Sequence, residues 1–151
     1  MKTKLAAAVL MSALVAGAGP AQAHGLDVKE PWVRATVPQQ SATGAFMTIT
    51  APHDVKIVEA RSPVAATVEI HEMAMQGDTM QMRAVVALAL PAGKAVELKP
   101  GGYHVMLMGL KQQIKPGDTV PISLVIEGAG GKRETIEIKA PVRALGGDAK
   151  K

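Results

Sequence analysis

The chain has 151 residues, a formal net charge of +4 and no cysteine. That length suits one domain, and the missing thiols exclude a disulfide framework, a thiolate zinc site, an iron–sulfur cluster and a catalytic thiol. Hydrophobic residues make up 48% of the chain, enough for a packed core, whereas Trp32, Phe46 and Tyr103 are its only aromatic residues. Three rings are too few for the stacking platforms of a single-stranded nucleic-acid binder.

The chain opens with Lys2 and Lys4, an apolar run from Leu5 to Ala18, Pro20 and the small-residue triplet Ala21-Gln22-Ala23. This is the layout of a secretory signal peptide cut after Ala23; the apolar run is shorter than the roughly 20 residues of a membrane span. The expected mature chain begins at His24. It loses two of the 17 basic residues with the leader, which leaves a formal charge of +2 and no clustered basic face for a nucleic acid. The product is expected to be exported as a monomer with no membrane span in the mature chain. Residues 24–143 are expected to form one β-sandwich domain and residues 144–151 a flexible tail.

After the leader the chain reads as strands. Val68 and Ile70, then Tyr103, Val105 and Leu107, then Val120, Ile122, Leu124 and Ile126, then Ile136 and Ile138 recur with a period of two. Turn signals separate them at Pro52-His53-Asp54, Gly77-Asp78, Pro100-Gly101-Gly102, Pro116-Gly117-Asp118 and Gly128 to Gly131. Many short strands with no helical period predict an all-β, antiparallel sandwich or barrel. Gly128-Ala-Gly-Gly-Lys-Arg resembles a phosphate-binding loop only superficially: Arg133 stands where that loop requires Ser or Thr, and a hairpin turn fits better.

Methionine and histidine are not spread evenly. Of the seven methionines beyond the leader, six fall in two short segments, Met73, Met75, Met80 and Met82, then Met106 and Met108, together with His71 and His104. Alternate side chains of a strand point to opposite faces. His71, Met73 and Met75 therefore oppose Val68 and Ile70, and His104, Met106 and Met108 oppose Val105 and Leu107. A two-residue loop at Gly77-Asp78 would set Met75 against Met80 and Met73 against Met82, with His71 diagonal to Met82 and within reach. Methionine is also an ordinary core filler, so the pattern alone divides between a metal site and a packing stripe. If a metal is held, thioether sulfur favours Cu(I) over Mg, Ca or Mn, and the missing thiolate excludes a blue-copper electron-transfer centre. Structural and catalytic zinc sites rest on thiolate, imidazole and carboxylate, which this set does not supply.

The motif His71, ten residues, Met82, twenty-one residues, His104, one residue, Met106 resembles the metal motif of the periplasmic copper chaperone family PCu(A)C. The surrounding stretches are similar too: Trp32-Val-Arg-Ala-Thr, Glu69-Ile-His-Glu-Met73, Met80-Gln-Met-Arg83, and Leu98 to Leu110 with its Pro-Gly-Gly-Tyr-His-Val-Met core. Further matches lie at Gly117-Asp118-Thr-Val-Pro and Ala140-Pro141-Val142. The resemblance spans about residues 26 to 143. It implies a cupredoxin-like Greek-key β-sandwich that is not an enzyme. It also implies His71, Met82, His104 and Met106 as Cu(I) ligands, and delivery to the CuA centre of cytochrome c oxidase (its subunit II), directly or with a Sco-type thiol protein. Met73, Met75, Met80 and Met108 stand as accessory thioethers or as packing around the site. His24, as a new N-terminus, could chelate Cu(II) at a secondary site; the alternative is a frayed end. His53 is expected to be exposed in its turn, and Trp32 and Phe46 to sit in the core or at the sandwich edge. Competing readings are a general periplasmic copper-homeostasis protein, an enzyme and a plain structural sandwich. The enzyme reading finds no G-x-S-x-G or HExxH motif and no histidine partner for Ser41, Ser62 or Ser123.

Overall fold

The computed structural model describes residues 25–145. Its strands are β1 (Asp27–Arg34), β2 (Ala42–Thr50), β3 (Val55–Arg61), β4 (Ala65–Gln76), β5 (Thr79–Ala84), β6 (Leu88–Leu90), β7 (Ala95–Leu98), β8 (His104–Leu110), β9 (Thr119–Glu127) and β10 (Arg133–Arg143). Among the described residues the sole helical element is a 3₁₀ turn at Ala129–Gly131, which carries β9 into β10. The expected hairpin at Gly128 to Gly131 is therefore present, and the phosphate-loop likeness has no structural counterpart.

The strand order is β5-β4-β8-β2-β1-β10-β9-β3-β6, with β7 also paired to β2. Every pairing is antiparallel except β1 with β10, which run parallel and meet only at Val33↔Val142 and Arg34↔Arg143. The narrow junction divides the sheet into two halves with one core between them. Ile49, Ile70, Val105 and Leu107 come from one half, and Ile57, Ile122, Leu124, Ile126 and Ile138 from the other. The architecture is the all-β sandwich expected of a cupredoxin-like chain.

The period-two residues explain this placement. On β10, Ile136, Ile138, Ala140 and Val142 are buried, while Thr135, Glu137, Lys139, Pro141 and Arg143 between them are exposed. On β9, Val120, Ile122, Leu124 and Ile126 are all essentially inaccessible. Each fully buried Ile or Leu stabilises the fold by about 1.5–3 kcal/mol relative to an exposed one. Tyr103 departs from its expected strand. It lies just before β8, joined to Leu98 by an isolated bridge, and its ring is partly exposed. The glycine pair Gly101-Gly102 ends its turn there, so the alternation begins one residue later, at His104.

The twelve residues of β4 outrun the core. Its first half lies along β8, whereas residues 71–76 pair with β5, a strand exposed at all six positions. The overhang resolves an oddity in the sequence, because Glu72 shares the parity of Val68 and Ile70. Beyond the core edge that face meets solvent, and Glu72 accepts a charged hydrogen bond from Arg83 directly across the hairpin.

Candidate metal centre

The hairpin and strand β8 bring the sulfur and imidazole groups together. Gly77 turns the chain with φ +64°, a conformation that suits glycine. The register that follows sets Met73↔Met82 and Met75↔Met80, with His71 opposite Ala84 and so diagonal to Met82. Strand β4 also lies against β8 on its other edge, with His71↔His104 and Glu69↔Met106. Three adjacent strands, β5, β4 and β8, thus present His71, Met73, Met82, His104 and Met106 on one face.

His104 is the anchor of this face. It is 4% exposed, the only buried histidine among the described residues. Its Nδ1 lies 3.1 Å from the Gly102 carbonyl oxygen. A carbonyl only accepts, so Nδ1 carries the proton and donates, and Nε2 of the neutral ring keeps a lone pair. That Nε2 points at the Met82 sulfur, 3.2 Å away. Burial holds the His104 imidazole below its ordinary pKa. The Gly102 hydrogen bond opposes this, and the nearby His71 and Arg34 charges add to it. The neutral ring prevails, and two lone pairs converge with no proton between them.

His71 is fixed differently. Its Nε2 lies 2.8 Å from a Glu69 carboxylate oxygen, while its Nδ1 is buried with no hydrogen-bond partner. With Nε2–H donating to the carboxylate, the free lone pair is on Nδ1. The two rings stand 5.8 Å apart, edge to face. An orphaned buried lone pair is costly, and an ion is one way to satisfy it.

A cavity of about 260 Å³ opens beside this cluster. Met73, Met82, His104 and Met106 line it, together with Arg34, Gly44 and Phe46 from β1 and β2. His71 does not line it and stands beside His104, its side chain 14% exposed. Met108, two residues beyond Met106, does not reach the cavity, and Met75 and Met80 lie further out along the hairpin. His24 lies outside the described residues, as do the leader and residues 146–151. His53 is exposed, as expected.

Sequence reasoning missed the opposite wall. Phe46 is buried, tilted against Trp32 at 4.6 Å between centroids and 6.3 Å from His104. The Arg34 guanidinium lies 5.5 Å from the Phe46 ring centroid. Gly44 leaves room for that ring: a Cβ there would come within 2.9 Å of Phe46 Cζ. Trp32 and Arg34 share one parity, and Gly44 and Phe46 another, so the alternation held a signal that went unread.

The donor set fits a soft, singly charged cation. No carboxylate lines the cavity, and no group of three or more His, Asp or Glu suited to a metal occurs among the described residues. Arg34 adds a positive charge that penalises a divalent guest. Two donors bound about 2.0 and 2.3 Å from one ion can stand 3.2 Å apart, as His104 Nε2 and Met82 Sδ do. Ser62 donates to the Pro121 carbonyl and Ser123 to Glu137, neither to a histidine.

Comparison with known proteins agrees with this fold. Residues 26–142 match the family model described as "Putative lipoprotein LpqE-like". The "Putative lipoprotein Lxx21020" of Leifsonia xyli subsp. xyli is 30% identical over 128 residues, covering 83% of this chain and 74% of the relative. The solution structure of apo-DR1885 from Deinococcus radiodurans superposes with a TM-score of 0.61 at 31% identity, covering 96% of both chains. Its CuI-DR1885 form gives 0.57 over 85% of this chain and 83% of that one. The copper-bound PCuAC domain of PmoF2 shares the fold, with a TM-score of 0.62 at 24% identity over 80% of this chain and 93% of its own.

The cupredoxin-like sandwich is the fold this chain shares with the PCuAC domain of PmoF2 and with DR1885. The chain belongs to the LpqE-like, PCuAC-type family.

Proposed function

We propose that this protein is a copper carrier that binds one Cu(I) through His71, Met82, His104 and Met106, and that it works without catalytic turnover. One observation carries the reading: the lone pair of His104 Nε2 and the sulfur of Met82 converge at 3.2 Å with no proton to share. A cation between them turns a repulsive contact into two bonds. All four donors are neutral, so the loaded site keeps the single positive charge of Cu(I). Ligand exchange with an acceptor then requires no proton or electron. The copper-bound PCuAC domain of PmoF2 and CuI-DR1885 support copper as the guest.

The leader at residues 1–23 and the lipoprotein-like relatives support export, and we place the working protein in the periplasm as a monomer. Delivery to the CuA centre of cytochrome c oxidase subunit II, directly or through a Sco-type thiol protein, rests on the sequence resemblance. A secondary Cu(II) site at His24 would use the new terminal amine and its own imidazole.

The test is a Cu(I) competition titration against a chromophoric chelator. Wild type retains one equivalent, and Met82→Ala lowers the affinity by at least about tenfold. Met108→Leu, a change outside the cavity, leaves it unchanged. Equal affinity for wild type and Met82→Ala would remove the reading.

A further inference from the structure

The site described above leaves two thioethers unused. Met75 and Met80 are directly opposed in the β4–β5 register, one pair further along the hairpin than Met73 and Met82. They are 63% and 46% exposed, unusually open for large apolar side chains. Packing does not explain them. Among the described residues strand β5 pairs with β4 alone, all six of its residues are exposed, and the buried core includes no residue of this end of the hairpin.

Strand parity places both pairs on the same face, two residues apart along each strand, or about 7 Å at 3.4 Å per residue. Methionine side chains are long and unbranched. A thioether on one pair can therefore approach an ion held by the next. The ladder begins in solvent at Met75 and Met80, passes Met73 and Met82, and ends at His104 and Met106 on β8. Exposure falls along β4 from Met75 at 63% to a half-buried Met73 and ends at His104 at 4%, while on β5 Met80 and Met82 are about equally open.

We propose that Met75 and Met80 form a second, labile Cu(I) site at the hairpin tip, through which the ion enters and leaves the His/Met centre. The inference rests on the copper-carrier reading and adds the route. Neutral sulfur is a soft donor, and two thioethers without an imidazole hold the ion weakly enough to release it. Transfer is a sequence of ligand exchanges. One Cu–S bond forms from the next rung as one breaks on the rung before, the copper stays monovalent, and no proton moves. Exposure at the tip lets a donor or acceptor protein reach the first rung without opening the core.

The test uses the full mature chain and Cu(I) held as its bicinchoninate complex, followed by stopped-flow absorbance. The double variant Met75→Leu/Met80→Leu keeps apolar volume and removes both sulfurs. Transfer to the variant is expected to slow by about tenfold, while its equilibrium affinity for the first Cu(I) matches wild type. Titration of ¹³C-methyl methionine protein with Ag(I) beyond one equivalent is expected to shift the Met75 and Met80 methyl signals after those of Met82 and Met106. Unchanged transfer rates would overturn the relay. So would a lower equilibrium affinity at an unchanged rate, which would make the tip sulfurs resident ligands. Failure of wild type to retain any Cu(I) would instead remove the parent reading, so the two failures are distinct.

Discussion

His71 and His104 face each other across the β4–β8 ladder, yet each commits a different ring nitrogen to the protein. His71 gives Nε2 to Glu69 and His104 gives Nδ1 to the Gly102 carbonyl. The nitrogens left free are Nδ1 of His71 and Nε2 of His104, so two identical side chains leave different ring nitrogens unoccupied.

Glu69 is the replaceable half of that arrangement, because the Gly102 partner is backbone. Removing the carboxylate in Glu69→Ala releases the His71 ring to either tautomer. Partners of this kind typically contribute 10- to 100-fold in metal affinity, and a loss of about tenfold is expected here by chelator competition. Glu69→Gln keeps a carbonyl oxygen for Nε2–H and should recover most of the affinity. Equal loss in both variants would show that charge, rather than ring orientation, is what Glu69 supplies.

The pH response follows from His104. Burial lowers its pKa in the folded chain below the unfolded value. In the range between the two values the unfolded state binds more protons, so the stability of the metal-free protein rises with pH. The contribution is complete above about pH 6.5, the usual histidine value, and is lost as pH falls through the depressed folded value. Melting midpoints of the metal-free protein should drop between pH 7.5 and 5, and His104→Gln should flatten that slope. The same depression keeps the ring neutral and able to coordinate further into mild acid than an exposed imidazole. Cu(I) affinity should therefore weaken only as pH falls through the depressed folded pKa of His104.

The hairpin was legible because its determinants are local. A glycine-led two-residue loop and a period of two suffice to pair Met73 with Met82 and Met75 with Met80, as the register shows. Strand β8 followed from the same parity, except at Tyr103, where the glycine turn delays the strand by one residue. The far wall was not legible. It depends on β2 pairing with β8, Gly44 opposite Met106 and Ala45 opposite Val105, and nothing in either segment names the other. Parity also fixes faces without fixing depth. It placed Met75, Met80, Met106 and Met108 alike, although only Met106 of these four reaches the cavity.

Gly44 turns that far wall into a prediction. Its φ is not the reason for glycine here; the space is. In Gly44→Ala the new Cβ meets Phe46 Cζ at 2.9 Å, and Phe46 is buried against Trp32 with little room to yield. Overpacking of this kind costs about 1–3 kcal/mol. A lower melting midpoint is expected, together with weaker Cu(I) binding as the ring is driven toward His104 and the cavity. Phe46→Leu in the same background should relieve both. A Gly44→Ala protein as stable as wild type would mean that the ring moves freely and does not shape the site.

Oxidation should discriminate among the methionines by exposure. Peroxide converts a thioether to a polar sulfoxide, a poorer soft donor, and it reaches exposed sulfur first. Met75, Met82 and Met80 are 63%, 51% and 46% exposed, whereas Met47 is 3%. Limited peroxide treatment, mapped by peptide mass spectrometry, is expected to modify residues 75, 80 and 82 while sparing 47. Cu(I) affinity should fall in step with sulfoxide at Met82, and methionine sulfoxide reductase should restore it. Prior loading with Ag(I), a soft monovalent ion that peroxide does not oxidise, ties up the Met82 lone pair, so Met82 should become resistant while Met75 and Met80, bound only transiently, stay reactive. Equal protection of all three by one equivalent of Ag(I) would place the tip sulfurs in the resident site and contradict their role as an entry rung.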